Sequence, residues 1–318
     1  MKRILAIILA SVMMLGAVAL FAGCDGKDDG VLVMATNATF PPYEYKSGDK
    51  IVGIDAEIAE AIAKKLGKTL EIKDVEFSSI VGGVAEGKYD FGMAGMTVTE
   101  DRKKSVNFST TYATGIQVII VKDGSDIETL DSIWEFNEDK EPVALKNTDI
   151  RVGVQQGTTG DIYCSDAIEK WGFNDLNEDG STKTERVVRY KSGAQAVEAL
   201  KSGKVDLVII DNEPAKSFVE ANEGIHILEG ENEYVIEDYA ICVGKDNDKL
   251  LADINKALEE LTEDGTIAAI IEKYIPSNGG EVDTSATEAE GTVEETAAAT
   301  DAATEAATDA ATDAATAA

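Results

Sequence analysis

Twice in this chain a helix-like segment closes on Gly-Lys, passes one residue, meets an aspartate and runs into an apolar strand. The two stretches are "AEGKYDF" over 85–91 and "LKSGKVDL" over 200–207. A helix that stops at glycine and hands over directly to a buried strand is the joint of a strand–helix–strand crossover. Two such joints at matching places predict two similar α/β lobes rather than one long sheet.

The segments around each joint agree. "VLVMATN" reads as a buried strand, and "IDAEIAEAIAKKLG" places Ile54, Ile58, Ile62 and Leu66 at helical spacing and stops at Gly67. "TLEIKDVEF" reads as a strand, "SSIVGGVAEG" as a short helix and "YDFGMAGMT" as a strand. The grammar restarts at "DIRVGV", passes a helix around Ile162 to Trp171, and reaches "AVEALKSGK" and "VDLVIID". A parallel sheet with crossover helices is expected in each lobe. Two apolar runs, "YATGIQVIIVK" over 112–122 and "DYAICVGK" over 238–245, are followed by amphipathic helices over 248–263 and 266–274. If those last helices return to the first lobe, the chain crosses twice, the second lobe is an insertion, and the crossings form a hinge.

The ends read differently. Met1, Lys2 and Arg3 precede an apolar stretch to Leu20 and then "FAGC", which is a charged n-region, an h-region and small residues before Cys24. This resembles the lipobox of bacterial lipoproteins, with Phe21 where leucine is commoner. The resemblance implies acylation of Cys24 and a lipid-anchored protein at the extracytoplasmic face of the cell membrane. From Ser277 the chain carries ten acidic residues, no basic one and a four-residue Ala/Thr repeat, so a disordered acidic tail is expected. The expected layout is a signal peptide over 1–23, a tether over 24–30, lobe 1 over 31–111 and 240–276, lobe 2 over 112–239, and the tail over 277–318. A formal charge of −31 argues against nucleic acid as a partner. Cys164 and Cys242 read as buried thiols, with a disulfide left open.

In open α/β sheets ligands gather beyond the carboxyl ends of the strands. Those positions hold Asn37 to Phe40, Phe77, Gly95 to Thr97 followed by Arg102, Gln155 to Gly160, and Asp211. One fixed cation, one carboxylate, several short donors and two aromatics suit a zwitterion. A desolvated carboxylate needs a guanidinium and amides. Thr99 is placed to cap a short helix over 100–104 that brings Arg102 over the strand end, with Thr97 beside it. An ammonium needs acceptors, which Asp211 and the carbonyl of Gly95 supply. Each residue has a plainer reading: Arg102 paired with Glu100 or Asp101, Asp211 capping the turn at Asn212, Phe40 and Phe77 as core, and Thr158 or Thr159 as a helix cap.

These residues stand in segments, "TFPPYEY", "GIDAEIAEAIAKKLG", "FSSIVGGVAEGKYDFGMAGMTVTEDRKKSVNFS" and "QQGTTG", whose order and spacing resemble the extracytoplasmic solute-binding proteins of family 3, the polar amino acid receptors of ABC importers. The resemblance covers the chain from Val31 to about Pro276. It implies a two-lobe α/β clamshell of the periplasmic-binding-protein type II, with crossover strands near 112–116 and 235–239. It also implies a monomer that works with a membrane permease and needs no cofactor or metal. It assigns the carboxylate to Arg102 and Thr97, the ammonium to Gly95 and Asp211, an amide donor to Thr159, and the sandwiching rings to Phe40 and Phe77. Asn37 stands where relatives for basic ligands or glutamine carry aspartate. With Gln155 and Ile210 as the other side-chain neighbours, a neutral polar amino acid is expected.

Three other readings compete. An exported dehydratase on the same scaffold needs an acid or base in an apolar pocket, and the strand ends show none; His226 lies in an ordinary loop. An amino acid sensor has the same cleft. "DLNEDGSTKTER", 175–186, begins like a calcium loop but ends on Arg186.

Overall fold

The computed structural model describes residues 30–228 and 236–276. The predicted lipidation site at Cys24, the tether and the acidic tail lie outside the described residues, apart from Gly30. In chain order, β1 (Val31–Thr36) leads through a three-stranded ribbon over residues 39–52 into α1 (Ile54–Lys65). Next come β2 (Thr69–Asp74), α2 (Phe77–Ala85), β3 (Phe91–Gly92), α3 (Arg102–Ser105) and β4 (Val106–Phe108). The long strand β5 (Ala113–Lys122) is followed by β6 (Val152–Gln155), α4 (Thr159–Ser165), β7 (Val187–Tyr190) and α5 (Gly193–Lys201). The chain continues through β8 (Leu207–Asp211), α6 (Asn212–Glu220), β9 (Ile225–Ile227), β10 (Ile236–Tyr239) and β11 (Cys242–Gly244). It closes with α7 (Asp248–Glu263) and α8 (Thr266–Tyr274).

The two large sheets are ordered β2-β1-β3-β11-β4 and β7-β6-β8-β5-β9, with β10 pairing the near end of β5. They are mixed, not parallel as the sequence predicts. β1 runs parallel to β2 and β3, and β6 runs parallel to β7 and β8, but the remaining pairs are antiparallel. The reason is topological: β5 leaves the first lobe and β11 re-enters it, so each joins its sheet against the grain. The crossover is a two-stranded ribbon in which Ala113 faces Tyr239, Gly115 faces Glu237 and Ile116 faces Ile236.

The repeated Gly-Lys-x-Asp joint has one physical job in both lobes. Gly87 and Gly203 turn the chain with φ of 73° and 71°, where a side chain is strained. The aspartate then staples the neighbouring strand. Asp90 Oδ2 accepts the amide of Val33 at 2.7 Å while its own amide donates to the Val33 carbonyl at 2.9 Å. Asp206 does the same to Arg151, at 2.7 and 2.8 Å.

Helices α7 and α8 return to pack on α1, where Ile254, Leu258, Ile267 and Tyr274 join a core with Ile58 and Ile62. Glu57 of α1 accepts from the Tyr274 hydroxyl at 2.6 Å and pairs with Lys273. Cys164 and Cys242 are buried free thiols in separate apolar clusters. The helix predicted around 162–171 ends at Ser165. A 3-10 turn at Ile168–Lys170 follows, and Phe173 donates back to the Cys164 carbonyl at 2.9 Å. In the calcium-like loop, Asp175 pairs with Arg186 at 3.1 Å and Asp179 accepts the Ser181 amide at 2.9 Å.

Candidate functional site

All nine sequence-predicted site residues line one enclosed cavity between the lobes: Asn37, Phe40, Phe77, Gly95, Thr97, Arg102, Gln155, Thr159 and Asp211. Glu44, Ala94 and Thr158 line it as well. Ile210 does not. Strand alternation turns Asp211 to the cavity and Ile210 to the opposite face, where it packs against Gly193 in the lobe core.

Arg102 starts the one-turn helix α3, two residues later than expected, and its amide donates to the Thr99 hydroxyl oxygen at 3.2 Å, the capping bond foreseen for Thr99. Only 8% of the residue is exposed. Its Nη1 donates to the Thr97 carbonyl at 2.6 Å, its Nη2 donates to the Gly157 carbonyl at 3.1 Å, and the guanidinium lies 5.3 Å from the Phe77 ring centroid. The plainer reading of Arg102 fails: Glu100 is taken by Lys103 at 2.8 Å and Asp101 by Lys104 at 2.9 Å. Among the described residues no carboxylate lies within ion-pair distance of this buried cation.

The opposite end of the cavity is acidic. Asp211 ends β8 with its side chain making no cap bond to α6, contrary to its plainer reading, and it accepts a hydrogen bond from the Tyr239 hydroxyl. Beside it stands Glu237 of the crossover strand β10, whose Oε2 accepts from Thr97 Oγ1 at 2.8 Å and Gln117 Nε2 at 3.1 Å. No donor reaches its Oε1 in hydrogen-bonding geometry. Asp55 and Glu44 form a second pair. Asp55 accepts the Gly95 amide at 2.8 Å and the Tyr112 hydroxyl at 2.8 Å, which holds Gly95 in its left-handed turn at φ 51°. Burial raises Glu44 well above the usual carboxylate range, with Asp55 adding to the shift, so Glu44 keeps its proton. Burial likewise pushes Asp55 to about 7, and burial followed by the neighbouring Glu237 pushes Asp211 to about 8.

Those shifts fix the sign of a stability effect. Acids whose pKa is raised by folding hold protons that the unfolded chain releases, so stability falls as pH climbs from about 4 toward 8. The ligand-free protein is expected to melt on the order of 5 °C lower at pH 8.5 than at pH 5.5 in calorimetry at fixed ionic strength. A higher melting point at pH 8.5 would contradict the protonated assignments.

Two contacts tie the lobes together over the cavity. Gln155 Nε2 donates to Asn37 Oδ1 at 2.9 Å, and Arg102 reaches Gly157. Asn37 is otherwise engaged with Val75 at 2.8 Å and Thr39 at 2.8 Å. Thr158, not Thr159, caps α4, leaving Thr159 facing Gln117 at 3.4 Å.

Sequence reasoning missed Glu44 and Glu237. Glu44 sits in "PYEYK", which carries no motif that marks its carboxyl as buried. Glu237 sits in "IEDYA", within the crossover strand expected near 235–239, with no site role expected for it there. A weak signal existed for Glu237: it lies two residues before a buried tyrosine, hence on the same strand face.

The fold and cavity define a hinged two-lobe receptor for a small guest carrying an anionic pole. The chain matches the model of the bacterial extracellular solute-binding proteins, family 3, over residues 32–277. It belongs to that family and is extracytoplasmic. It is 31% identical over 283 residues to the arginine-binding extracellular protein ArtP of Bacillus subtilis (strain 168), covering 86% of this chain and 98% of the relative. It is 28% identical over 285 residues to a probable histidine-binding protein of Neisseria gonorrhoeae, covering 86% and 97%. Among solved structures, the substrate-binding protein of an amino acid ABC transporter superposes with a TM-score of 0.65 at 31% identity, covering 77% of this chain and 99% of that one.

Proposed function

We propose that this chain is the substrate-binding component of an amino acid ABC importer, lipid-anchored through Cys24 and delivering its cargo as a monomer to a membrane permease. The observation that carries the reading is Arg102, a buried guanidinium that among the described residues pairs with no carboxylate, at one end of a cavity whose other end is acidic. The α-carboxylate takes Arg102 and the Thr97 and Thr159 groups, the ammonium takes Asp211 and the Gly95 carbonyl, and Phe40 and Phe77 flank the guest. The names of the relatives support an amino acid as cargo. Both lobes contribute, so the guest binds the closed form better and shifts the population toward it.

Near neutral pH the side chain taken is neutral and polar. Asn37 and Gln155 are uncharged, and Glu44, the cavity acid that sequence reasoning missed, holds its proton. Glu44 is a glutamate in a buried pocket, which the dehydratase reading required and the sequence did not reveal. Its tie to Asp55 gives it a structural role, and no catalysis is assigned to it. Calorimetry with the twenty amino acids at pH 7 is expected to show a neutral polar one bound in the micromolar range, about 8 kcal/mol, and at least tenfold better than arginine or lysine. Tight arginine binding at pH 7 sinks the side-chain preference, and binding of none sinks the whole reading.

A further inference from the structure

The acids at the far end of the cavity outnumber what a zwitterion needs. Four carboxyls, Glu44, Asp55, Asp211 and Glu237, are each at most 4% exposed and lie in two neighbouring pairs, while among the described residues Arg102 is the only buried cation lining the cavity. We propose that the Asp211–Glu237 pair holds an exchangeable proton, which a cationic amino acid expels on entering and a neutral one leaves in place. The inference rests on the amino acid reading above and deepens it: the pair is a latent counter-charge that sets selectivity between neutral and cationic side chains.

The argument begins with geometry. Asp211 and Glu237 converge on Gln117, which faces Asp211 across β8 and β5 and donates from Nε2 to Glu237 Oε2 at 3.1 Å, and two buried ionised carboxylates this close repel too strongly to coexist without a cation between them. The groups facing them do not supply one. Tyr239 and Thr97 donate hydroxyls, Gln117 donates an amide, and Tyr43, Tyr163 and the Glu44–Asp55 pair add no positive charge. Arg102 is attracted to both acids, but its two amino groups are directed at the Thr97 and Gly157 carbonyls. With one proton on the pair, its single negative charge balances Arg102.

A zwitterion brings no net charge, so the balance survives and the proton stays. A guest with a cationic side chain brings one extra positive charge into the same low-dielectric space. Losing one proton then restores neutrality: the pair goes from one negative charge to two, and the proton passes to solvent buffer. Of the protons held here, this is the one that faces the guest: Asp211 lines the cavity, whereas Asp55, which gives way lower, at about 7, is engaged by the Gly95 amide and the Tyr112 hydroxyl instead. Asp211 gives way at about pH 8, whereas Glu44 is held well above the usual range by deeper burial against Asp55. Selectivity therefore shifts with pH. Below about pH 8 a cationic guest must displace the proton, which weakens it by up to about tenfold per pH unit, while a neutral guest is unaffected.

The test compares L-arginine with its uncharged near-isostere L-citrulline, each titrated calorimetrically between pH 6 and 8.5 in buffers of different ionisation enthalpy. The arginine to citrulline affinity ratio is expected to rise at least about tenfold across that range, with about one proton released per arginine and about none per citrulline. In Glu237→Gln the ratio is expected to change less than about threefold, and Glu44→Gln is expected to retain the wild-type slope. Equal proton counts for the two probes, or citrulline binding with no arginine binding at any pH, overturn the proposal. A readout free of ligand stands beside it. Infrared spectra of the ligand-free receptor should show, beside the protonated carboxyl absorption of Glu44, a second component that titrates away near pH 8, is missing in Glu237→Gln and is kept in Glu44→Gln. A receptor that fails to bind any of the twenty amino acids defeats the amino acid reading, whereas absence of that band defeats the proton pair alone.

Discussion

Arg102→Ala is expected to weaken amino acid binding by at least about a hundredfold. A bidentate guanidinium–carboxylate contact comprises two charge-assisted hydrogen bonds worth about 1.5 to 3 kcal/mol each, so the loss lies between about 3 and 6 kcal/mol. The truncation also removes the donor to Gly157, which ties the lobes together, and the packing over Phe77 within the first lobe. Arg102→Lys keeps the charge but loses the fork, and most of the loss should persist. Calorimetry with the amino acid preferred by the wild-type protein measures the effect, with circular dichroism confirming that the fold is intact. Affinity within threefold of wild type would remove Arg102 from the recognition of the head group.

Gly115→Ala is expected to damage both the hinge and the site. Gly115 lies on β5 opposite Glu237, and a Cβ placed there would stand 2.0 Å from the Tyr239 hydroxyl oxygen and 2.5 Å from its Cζ. Tyr239 has nowhere to go: it is fully buried, meets Tyr43 edge-on at 5.1 Å and donates to Asp211. Overpacking of this kind costs about 1 to 3 kcal/mol. Affinity should fall about tenfold or more because the displaced tyrosine also releases Asp211. Urea denaturation and calorimetry check both effects. Gly82→Ala is the control, since nothing lies within 4 Å of its would-be Cβ inside α2 and alanine favours helix. Equal midpoints for the two variants would refute the crowding argument.

What the sequence made legible follows from how local each signal is. Helix periodicity put the ends of α7 and α8 at the observed residues, because both helices pack one apolar stripe on a single surface. The Gly-Lys-x-Asp joints were readable because glycine and aspartate act within one turn. The nine cavity residues were placed because strand ends are a matter of topology. The failures share the opposite property. Glu44 and Glu237 owe their surroundings to residues distant in the chain: Asp55 and Asp211 for one, Thr97 and Gln117 for the other. Ile210 was assigned to the wrong face because one residue of register inverts a strand. Phe77 proved to begin a helix rather than end a strand, since the ladder of β2 stops at Asp74.

The arm that Arg102 extends to Gly157 has a consequence for turnover. A guest arriving at the guanidinium does not find an idle donor; it swaps with a carbonyl already being served. Capture is thus an exchange whose net gain is smaller than the sum of its contacts, and the reverse exchange is ready-made. A carrier whose jaws have an internal substitute for their cargo lets go easily when the gate beyond it opens.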